Sequence, residues 1–187
     1  MTLSLLTPRL ALRPLQPSDA GAMFCYRSRP DVWRYQIWKP AGEAEVRTFI
    51  EGLADADPGT PGTWLCLAIT SRERGEMIGD VGLRFPEREA GSVEIGITLS
   101  PAAQKQGFAA ETLEEVFRFL FLSLGIERIF ASVDPRNSSS LRLMRRLGMS
   151  REAHIRGGRI IRGETVDDVI YAIRKKEFSA GDRPARA

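Results

Sequence analysis

One segment constrains this chain of 187 residues most, because an apolar run, a turn of small residues and a long amphipathic run follow one another. The run Val93–Leu99 predicts a strand. The run from Gly107 to Leu124 predicts a helix, because its apolar residues recur every three or four positions. Between them stands Gln104-Lys105-Gln106-Gly107-Phe108-Ala109. A turn that opens into a helix presents unpaired N–H groups and a partial positive charge, so the segment predicts a phosphate-binding turn.

The same turn and its neighbours exclude several other chemistries. Larger side chains at Gly107 and Ala109 would hold a diphosphate away from the backbone. The turn lacks the Gly-Lys-Ser/Thr sequence of a nucleotide P-loop, which argues against ATP binding. No serine stands in a recognisable nucleophile turn with a histidine partner, which argues against a triad hydrolase. The single histidine, His154, and two separated cysteines do not form a usual zinc site, so no metal is expected.

Composition fits an ordinary globular chain, with 43% hydrophobic and 27% charged residues. We expect one domain over residues 1–178 and a flexible tail over residues 179–187. No apolar run is long enough to span a membrane, and the first residues do not resemble a signal peptide. Cys25 and Cys66 lie in apolar sequence, which predicts buried free thiols and a reducing, cytoplasmic setting.

The net charge of +3 is too small to indicate a nucleic-acid partner. The positive charge is nevertheless concentrated after the phosphate-type turn. These arginines form either a solvated helix face or a patch that attracts an anionic cofactor: Arg136, Arg142, Arg145, Arg146 and Arg151.

Periodicity predicts a mixed α/β sheet whose early strands are antiparallel. Val93–Leu99, the crossover helix and Ile129–Val133 form a βαβ unit, which makes these two strands parallel. The helix is expected to carry a Glu114–Arg118 pair and to end at Gly125 in a left-handed cap. The other predicted elements are an edge strand around Leu10 and Leu12, a helix over Ala20–Ser28 capped by Ser18-Asp19, a helix over Glu43–Ala54, strands over Thr63–Thr70, Met77–Phe85, Arg128–Val133 and Val166–Ile173, a helix over Ser139–Leu147, and a turn at Gly157-Gly158.

Three ordered motifs carry a family resemblance. They are Thr7–Pro14, the strand Val93-Glu94-Ile95-Gly96-Ile97 with the turn that follows it, and Asn137-Ser138-Ser139-Ser140 followed by Leu147-Gly148-Met149. Together they resemble the GNAT superfamily of N-acetyltransferases, and within it the RimJ/RimL-type branch that acetylates ribosomal-protein N-termini. Met149 stands where that family usually has an aromatic residue. The resemblance implies the GNAT acyl-CoA N-acyltransferase fold, in which central strands splay apart.

The resemblance implies acetyl-CoA as co-substrate. An open strand edge would pair with the amides of its pantetheine arm. The helix-opening turn would hold its diphosphate. The implied cofactor-binding residues are Ile97, Thr98, Leu99, Gln104, Lys105, Gln106, Gly107, Phe108, Ala109, Ala110 and Asn137.

The acceptor would be an amine, which must lose a proton before it attacks. Glu94 is the candidate general base, because it lies on the strand that carries the thioester site; the alternative is a structural pairing or capping role. Ser140 is a candidate proton donor to the departing thiolate. Asn137 is a candidate for binding the arm or ordering a water. Either Ser140 or Asn137 could instead cap the following helix.

The acceptor itself is left open by the sequence. The aromatic residues Trp33, Tyr35 and Trp38 stand between the early helices, and the resemblance implies that this region lines one wall of the acceptor cleft. The other wall is expected to carry Arg156, Arg159, Arg162, Glu164, Asp167 and Asp168. The sequence favours direct transfer in a ternary complex, because no convincing Cys–His pair is present. The acceptor could be a protein N-terminus, or a polyamine or aminoglycoside; a non-catalytic acyl-CoA-binding module is the alternative of another class. Either a monomer or a homodimer is compatible with the sequence, and no membrane partner is expected.

Overall fold

A single mixed sheet organises the protein. The computed structural model describes residues 3–53 and 57–179. Within this part of the chain, eight strands are ordered β1-β2-β3-β4-β5-β6-β8-β7. They are β1 Leu5–Leu6, β2 Leu10–Pro14, β3 Trp64–Ser71, β4 Met77–Arg84, β5 Ser92–Leu99, β6 Arg128–Val133, β7 Ser150–Ile161 and β8 Glu164–Arg174.

Helices cover both faces of that sheet. They are α1 Ala20–Arg27, α2 Pro30–Trp33, α3 Glu43–Glu51, α4 Phe108–Arg118 and α5 Ser138–Arg146. The apolar stripe of α4, which includes Leu113, Val116 and Phe117, is buried in the main core. A second, smaller core forms where α1 and α3 pack together, around Met23 and Val46. No described helix has the length and apolarity needed to cross a membrane.

The central strands separate, as the family resemblance implies. Strands β5 and β6 are parallel, and they pair only from Ser92 with Arg128 to Glu94 with Phe130. Beyond Glu94, β5 continues to Leu99 along β4 alone. The βαβ prediction is therefore confirmed, and the sheet opens halfway along this parallel pair.

Three predictions about the first part of the chain are wrong. The strand around Leu10 and Leu12 is not the sheet edge, because the short β1 pairs outside it. Asp19 does not cap α1 with its side chain; its carboxylate instead accepts hydrogen bonds from Arg13 and from the Gln16 N–H. Cys25 is exposed, whereas Cys66 is buried as expected. The helix from Glu43 ends at Glu51, and its predicted end at Ala54 lies outside the described residues.

The second half also differs in three places. Helix α4 ends at Arg118 and continues as a π-helical turn over Phe119–Ser123, before Gly125 adopts the expected left-handed conformation. Arg118 pairs with Glu115 and not with Glu114. Strand β7 was not predicted, and Gly157 and Gly158 lie within it at a register shift; the chain turns at Arg162-Gly163. Within the predicted tail, residues 180–187 lie outside the described part of the chain.

Close backbone contact between β4 and β5 can be tested at Gly79. A Cβ atom there would lie 2.3 Å from the Thr98 carbonyl oxygen, so we expect Gly79→Ala to lower the free energy of unfolding by about 2 kcal/mol or more. Gly96 on β5 is the matched control, because a Cβ atom there meets nothing within 4 Å. Urea unfolding of both variants measures the difference, and equal stabilities would contradict the contact.

Candidate active site

A cavity of about 1240 Å³ occupies the region where the sheet opens. It runs from the face covered by α1 and α3, past the divergence of β5 and β6, to the start of α5. Of the predicted site residues, it brings together Glu94, Ile97, Asn137, Ser140, Tyr35 and Trp38.

The other edge of β5 faces this opening. The Ser100 N–H donates to the Ile78 carbonyl at 2.8 Å. Because alternate residues of an antiparallel pair hydrogen-bond to the partner strand, this bond shows which residues of β5 bond to β4. The backbone groups of Gly96 and Thr98 therefore turn toward β4. Those of Ile95, Ile97 and Leu99 turn toward the side that β6 has left. The Leu99 carbonyl accepts a bond from Gln104 Nε2 at 3.1 Å, and the pairing of Glu94 with Phe130 engages the Ile95 N–H. The Ile95 carbonyl and both backbone groups of Ile97 therefore lie on the open edge.

The predicted phosphate turn has two residues in the left-handed conformation, Lys105 at φ 61° and Gly107 at φ 82°. Gly107 stands immediately before α4, where the first N–H groups have no acceptor within the helix. The turn lies outside the lining of the large cavity, at the start of α4. Because the turn follows β5 in the chain and opens α4, an anion bound by its N–H groups would lie near the end of β5.

Interactions with the N-terminal segment brace this turn. Glu111 on α4 accepts bonds from Thr7 Oγ1 at 2.5 Å and from the Arg9 Nε at 2.6 Å. Arg9 Nη1 donates to the Gln106 carbonyl at 3.1 Å, and its guanidinium lies 4.4 Å from the centre of the Phe108 ring. Burial alone would raise the pKa of Glu111, but the bonds from Thr7 and Arg9 lower it. The remaining turn residues contact their own segment: Gln106 Nε2 donates to the Ala102 carbonyl, Ala110 is buried, and Ala109 packs against the core.

Glu94 lies at the point where β5 and β6 part. It is the last residue of β5 that pairs with β6. Its side chain is 26% exposed and lies 3.4 Å from Arg84, whose side chain is 64% exposed. An ion pair of this length at the surface holds a carboxylate only weakly. Glu94 is thus available to the cavity while it contacts one flexible cation.

At the other side of the opening, Asn137 caps helix α5. Its Oδ1 accepts the Ser140 backbone N–H at 3.1 Å. Of the two candidates for this cap, Asn137 is therefore the residue that fills the role. The side-chain amide nitrogen of Asn137 and the hydroxyl of Ser140 are not used by the cap, and both residues line the cavity.

Aromatic side chains form one wall of the cavity. Trp38 and Phe49 have ring centres 4.7 Å apart, and Phe49 meets Trp64 edge to face at 6.2 Å. We call Trp38, Phe49 and Trp64 the aromatic wall. Trp38 is fixed by a 2.7 Å bond from its Nε1 to Glu45. Trp64 and the neighbouring Ile37 remain 51% and 62% exposed.

Trp33, which was predicted to bind substrate, does not line the cavity. Its ring lies between Lys39 Nζ at 4.7 Å and the Arg162 guanidinium at 4.5 Å. Arg162, at the tip of the β7–β8 hairpin, also donates to the carbonyls of Arg34 and Gln36, at 3.0 and 2.8 Å. The hairpin thereby holds the segment that carries Tyr35, Ile37 and Trp38 in place.

A buried ion pair forms the floor beneath the aromatic wall. Asp80 on β4 is 1% exposed; it accepts bonds from Tyr26 Oη at 2.6 Å and from Arg27 Nε at 3.0 Å. Arg27 Nη1 donates to Gln36 Oε1, and Gln36 Nε2 donates to Thr98 Oγ1, each at 3.0 Å. Thr98 therefore belongs to this network through its side chain.

Burial and the Asp80 carboxylate shift the pKa values of the groups that contact Asp80. Burial and the Asp80 carboxylate raise the pKa of the Tyr26 hydroxyl and of the Cys66 thiol well above their usual values. Burial alone would lower the pKa of Arg27, but the charge of Asp80 raises it. Arg27 is therefore charged across the neutral range, and Cys66 is a protonated, weakly nucleophilic thiol.

Sequence reasoning missed Arg27, Asp80 and Gln36. One signal was available: Asp80 is a lone carboxylate inside the apolar strand sequence Met-Ile-Gly-Asp-Val-Gly-Leu. A buried carboxylate requires a cationic or hydrogen-bonding partner, but only the fold shows that Arg27 supplies it. Among residues 3–53 and 57–179, no group of three or more His, Cys, Asp or Glu side chains is arranged to hold a metal ion.

Some of the arginines that follow the phosphate-type turn, which were predicted to form a solvated face or an anion-attracting patch, take part in ion pairs or hydrogen bonds. Arg136 lies 2.7 Å from the buried Asp134 and 2.9 Å from Glu164. Burial alone would raise the pKa of Asp134, but the bonds from Arg136 lower it. Arg145 Nε donates to Tyr171 Oη at 3.2 Å. Among the residues predicted for the second wall, Arg159 lines the cavity and pairs with Asp168 at 3.3 Å.

This fold, with its parted strands and its helix-opening turn, defines an acyltransferase architecture. A family model described as "Acetyltransferase (GNAT) domain" matches residues 9–150. The chain belongs to this family of N-acetyltransferases.

Relatives support that assignment across nearly the whole chain. The chain is 31% identical over 174 residues to the uncharacterized N-acetyltransferase YoaA of Bacillus subtilis, covering 90% of this chain and 95% of that protein. It is 29% identical over 177 residues to the uncharacterized N-acetyltransferase p20 of Bacillus licheniformis, covering 94% and 98%.

Solved structures show the same fold. A GNAT-family acetyltransferase from Bacillus anthracis superposes with a TM-score of 0.82 at 23% identity, covering 94% of this chain and 100% of that one. RimL, a ribosomal L7/L12 α-N-protein acetyltransferase in complex with coenzyme A, superposes with a TM-score of 0.81 at 19% identity, covering 92% and 98%.

The buried Arg27–Asp80 pair can be tested by a double-mutant cycle. We expect Asp80→Leu to lower the free energy of unfolding by about 3–5 kcal/mol, because it leaves the Arg27 charge buried without its partner. The double variant Arg27→Met, Asp80→Leu should lose much less than the sum of the two single variants, since both charges are removed together. Urea unfolding measures all four proteins, and additive losses would show that the pair is not coupled.

Proposed function

We propose that this N-acetyltransferase uses acetyl-CoA as donor and acetylates a primary amine by direct transfer in a ternary complex. The observation that carries the proposal is the divergence of β5 and β6 beyond Glu94. It produces an open backbone edge beside a large cavity, and β5 leads from this edge to the helix-opening turn. As finer proposals, we assign the protein to the RimJ/RimL-type branch and to the cytoplasm.

The residues present fit the donor at both of its ends. The N–H groups at the start of α4, around Gly107 and Phe108, would hold the diphosphate. The open backbone groups of Ile95 and Ile97 would pair with the amides of the pantetheine arm. The Asn137 side-chain amide lies on the opposite side of the opening and could orient the same arm. When bound, acetyl-CoA supplies an acetyl group activated as a thioester.

Glu94 is proposed to accept the proton of the acceptor amine, directly or through a water. It stands at the mouth of the opening and lines the cavity, and its contact with Arg84 is 3.4 Å long. An amine near neutral pH is mostly protonated, so a carboxylate at this position promotes formation of the nucleophile.

Ser140 is the proposed proton donor to the departing thiolate. Its hydroxyl is free of the α5 cap, because Asn137 accepts the Ser140 backbone N–H. Direct transfer is supported by the state of Cys66, which lines the cavity as a buried thiol whose pKa is raised by burial. A thiol held protonated is a poor site for a covalent acyl intermediate.

A polyamine or aminoglycoside acceptor is the second candidate among enzymes. Such polycations favour a cleft with several unpaired carboxylates. Three of the four carboxylates that line the cavity, Asp80, Glu94 and Asp134, have an arginine partner, and the fourth, Glu45, accepts bonds from the Trp38 ring N–H and the Ala41 N–H. The charge pattern therefore favours an acceptor with few amines. A non-catalytic acyl-CoA-binding module would bind the donor in the same way but would not release CoA when amines are added.

Replacing Gly107 tests the proposed diphosphate site. We expect Gly107→Asp to weaken CoA binding by at least about tenfold, because it places a carboxylate beside the diphosphate. Gly107→Asn is the matched control of the same size, and asparagine, like aspartate, tolerates a φ of 82° better than most residues. Calorimetric titration with CoA measures both affinities. Equal weakening by the two substitutions would move the diphosphate away from Gly107.

Replacing Glu94 tests the proposed base. We expect Glu94→Gln to leave the affinity for CoA unchanged and to lower kcat by about a hundredfold at pH 7. The deficit should shrink as the pH rises above about 8, because an α-amine then loses its proton without help. Glu89→Gln, which removes a carboxylate from a surface pair with Arg128, is the control and should retain wild-type rates. A deficit that is constant with pH would assign Glu94 a structural role.

A further inference from the structure

We propose that the acceptor is a primary amine attached to a bulky apolar or aromatic group, which packs on the aromatic wall while the amine reaches Glu94. This inference rests on the proposed function and adds the chemical class of its acceptor. It follows from the apolar surface of the cavity, from the distribution of its charges and from the register of three strands.

Two large apolar side chains that are exposed to solvent lie together in the lining of the cavity. Trp64 and Ile37 are 51% and 62% exposed, and both line the cavity beside the packed rings of Trp38 and Phe49. Large exposed apolar groups gathered at one site indicate that a ligand covers them. Because Trp38 is held by Glu45 and Arg162 fixes the neighbouring backbone, this surface is preorganised.

Strand register places this wall at a useful distance from the proposed base. Trp64 on β3 lies opposite Arg84 on β4, and Arg84 lies opposite Glu94 on β5. Residues opposite one another in antiparallel strands project from the same face, so the three side chains form one row. Two strand spacings separate Trp64 from Glu94, or about 10 Å between backbones. Arg84 stands between them with its side chain 64% exposed, so an amine with a leucine-sized or phenylalanine-sized substituent would extend alongside it from Trp64 to Glu94.

Charges around the cavity suit one ammonium group and not several. Four carboxylates and three guanidinium groups line it. Arg27 pairs with Asp80, Arg84 with Glu94, and Glu45 is occupied by the Trp38 ring N–H and the Ala41 backbone N–H. Only the Glu94 pair is long and solvent-exposed, so Glu94 is the carboxylate most easily released to an incoming ammonium.

The experiment compares amine acceptors in an assay of CoA release from acetyl-CoA by the full chain. Phenylalaninamide and leucinamide are the apolar probes, serinamide is the small polar probe, and spermidine is the polycation. Pentapeptides that begin with phenylalanine or serine form a second arm, which distinguishes a peptide N-terminus from a free small amine. We expect kcat/KM to be at least about tenfold higher for phenylalaninamide than for serinamide, from burial of the ring.

Variants locate the preference on the wall. We expect Trp64→Ala to lower kcat/KM for phenylalaninamide about tenfold, and Ile37→Ala about threefold, while the KM for acetyl-CoA stays unchanged. Leu122→Ala is the matched control, because Leu122 is 58% exposed yet lies outside the cavity. Calorimetric titration with phenylalaninamide gives a second readout, in which Trp64→Ala should weaken binding by a similar factor.

Each outcome decides the proposal. A preference for apolar amines that Trp64→Ala and Ile37→Ala reduce, and Leu122→Ala does not, supports it in whichever arm it is observed. Equal rates for phenylalaninamide and serinamide, or a preference for spermidine, overturn the acceptor class while the acetyltransferase function stands. Release of CoA with none of these amines, despite tight acetyl-CoA binding, counts against the proposed function itself.

Discussion

The parting of β5 from β6 is the constraint on which the rest of the structure depends. Backbone N–H and C=O groups that leave a sheet ladder must find other partners or remain open to solvent and ligands. On β5, pairing with β6 stops at Glu94, so the strand keeps β4 on one side and presents Ile95 and Ile97 on the other. Helix α4 packs on the core through its apolar stripe, which fixes where its N-terminus stands relative to this edge. One interruption in one ladder thus produces both the cavity and the surface that would recognise an amide-bearing ligand.

The buried polar floor explains how this opening remains ordered. A cavity between strands removes packing, and its walls must be held by interactions that do not depend on filling it. Asp80 receives bonds from α1 through Tyr26 and Arg27, and the same arginine reaches Gln36, which in turn bonds Thr98 on β5. A chain of hydrogen bonds therefore links α1 and the Gln36 segment to β4 and to β5, the strand on one side of the opening. Such networks are directional, so they fix positions even where apolar contact is sparse.

Sequence patterns predicted the backbone elements of the proposed donor site well and those of the proposed acceptor site poorly. The strand Ser92–Leu99, the strand Arg128–Val133 and the Gly107 turn were all predicted from runs shorter than 20 residues. Strand β7 was missed because its residues are mostly exposed and do not alternate between apolar and polar, and hydrophobic periodicity is the main signal of a strand. Asp80 could be singled out as a carboxylate in an apolar strand, but its partner Arg27 lies 53 residues away. No local pattern connects them.

That contrast reflects how the two halves of the candidate site are built. The proposed donor site is nearly continuous in sequence, from β5 through the turn into α4, so one stretch of chain specifies its backbone geometry. The aromatic wall instead combines the loop before α3, α3 itself and the start of β3. The tip of the β7–β8 hairpin braces it, where Arg162 bridges 126 residues to reach Gln36. Changes in any of these segments can reshape the wall without altering the turn at Gly107. A scaffold with this division can retain its donor while its acceptor changes, which is why family membership establishes the chemistry here and the aromatic wall must be used to argue the substrate.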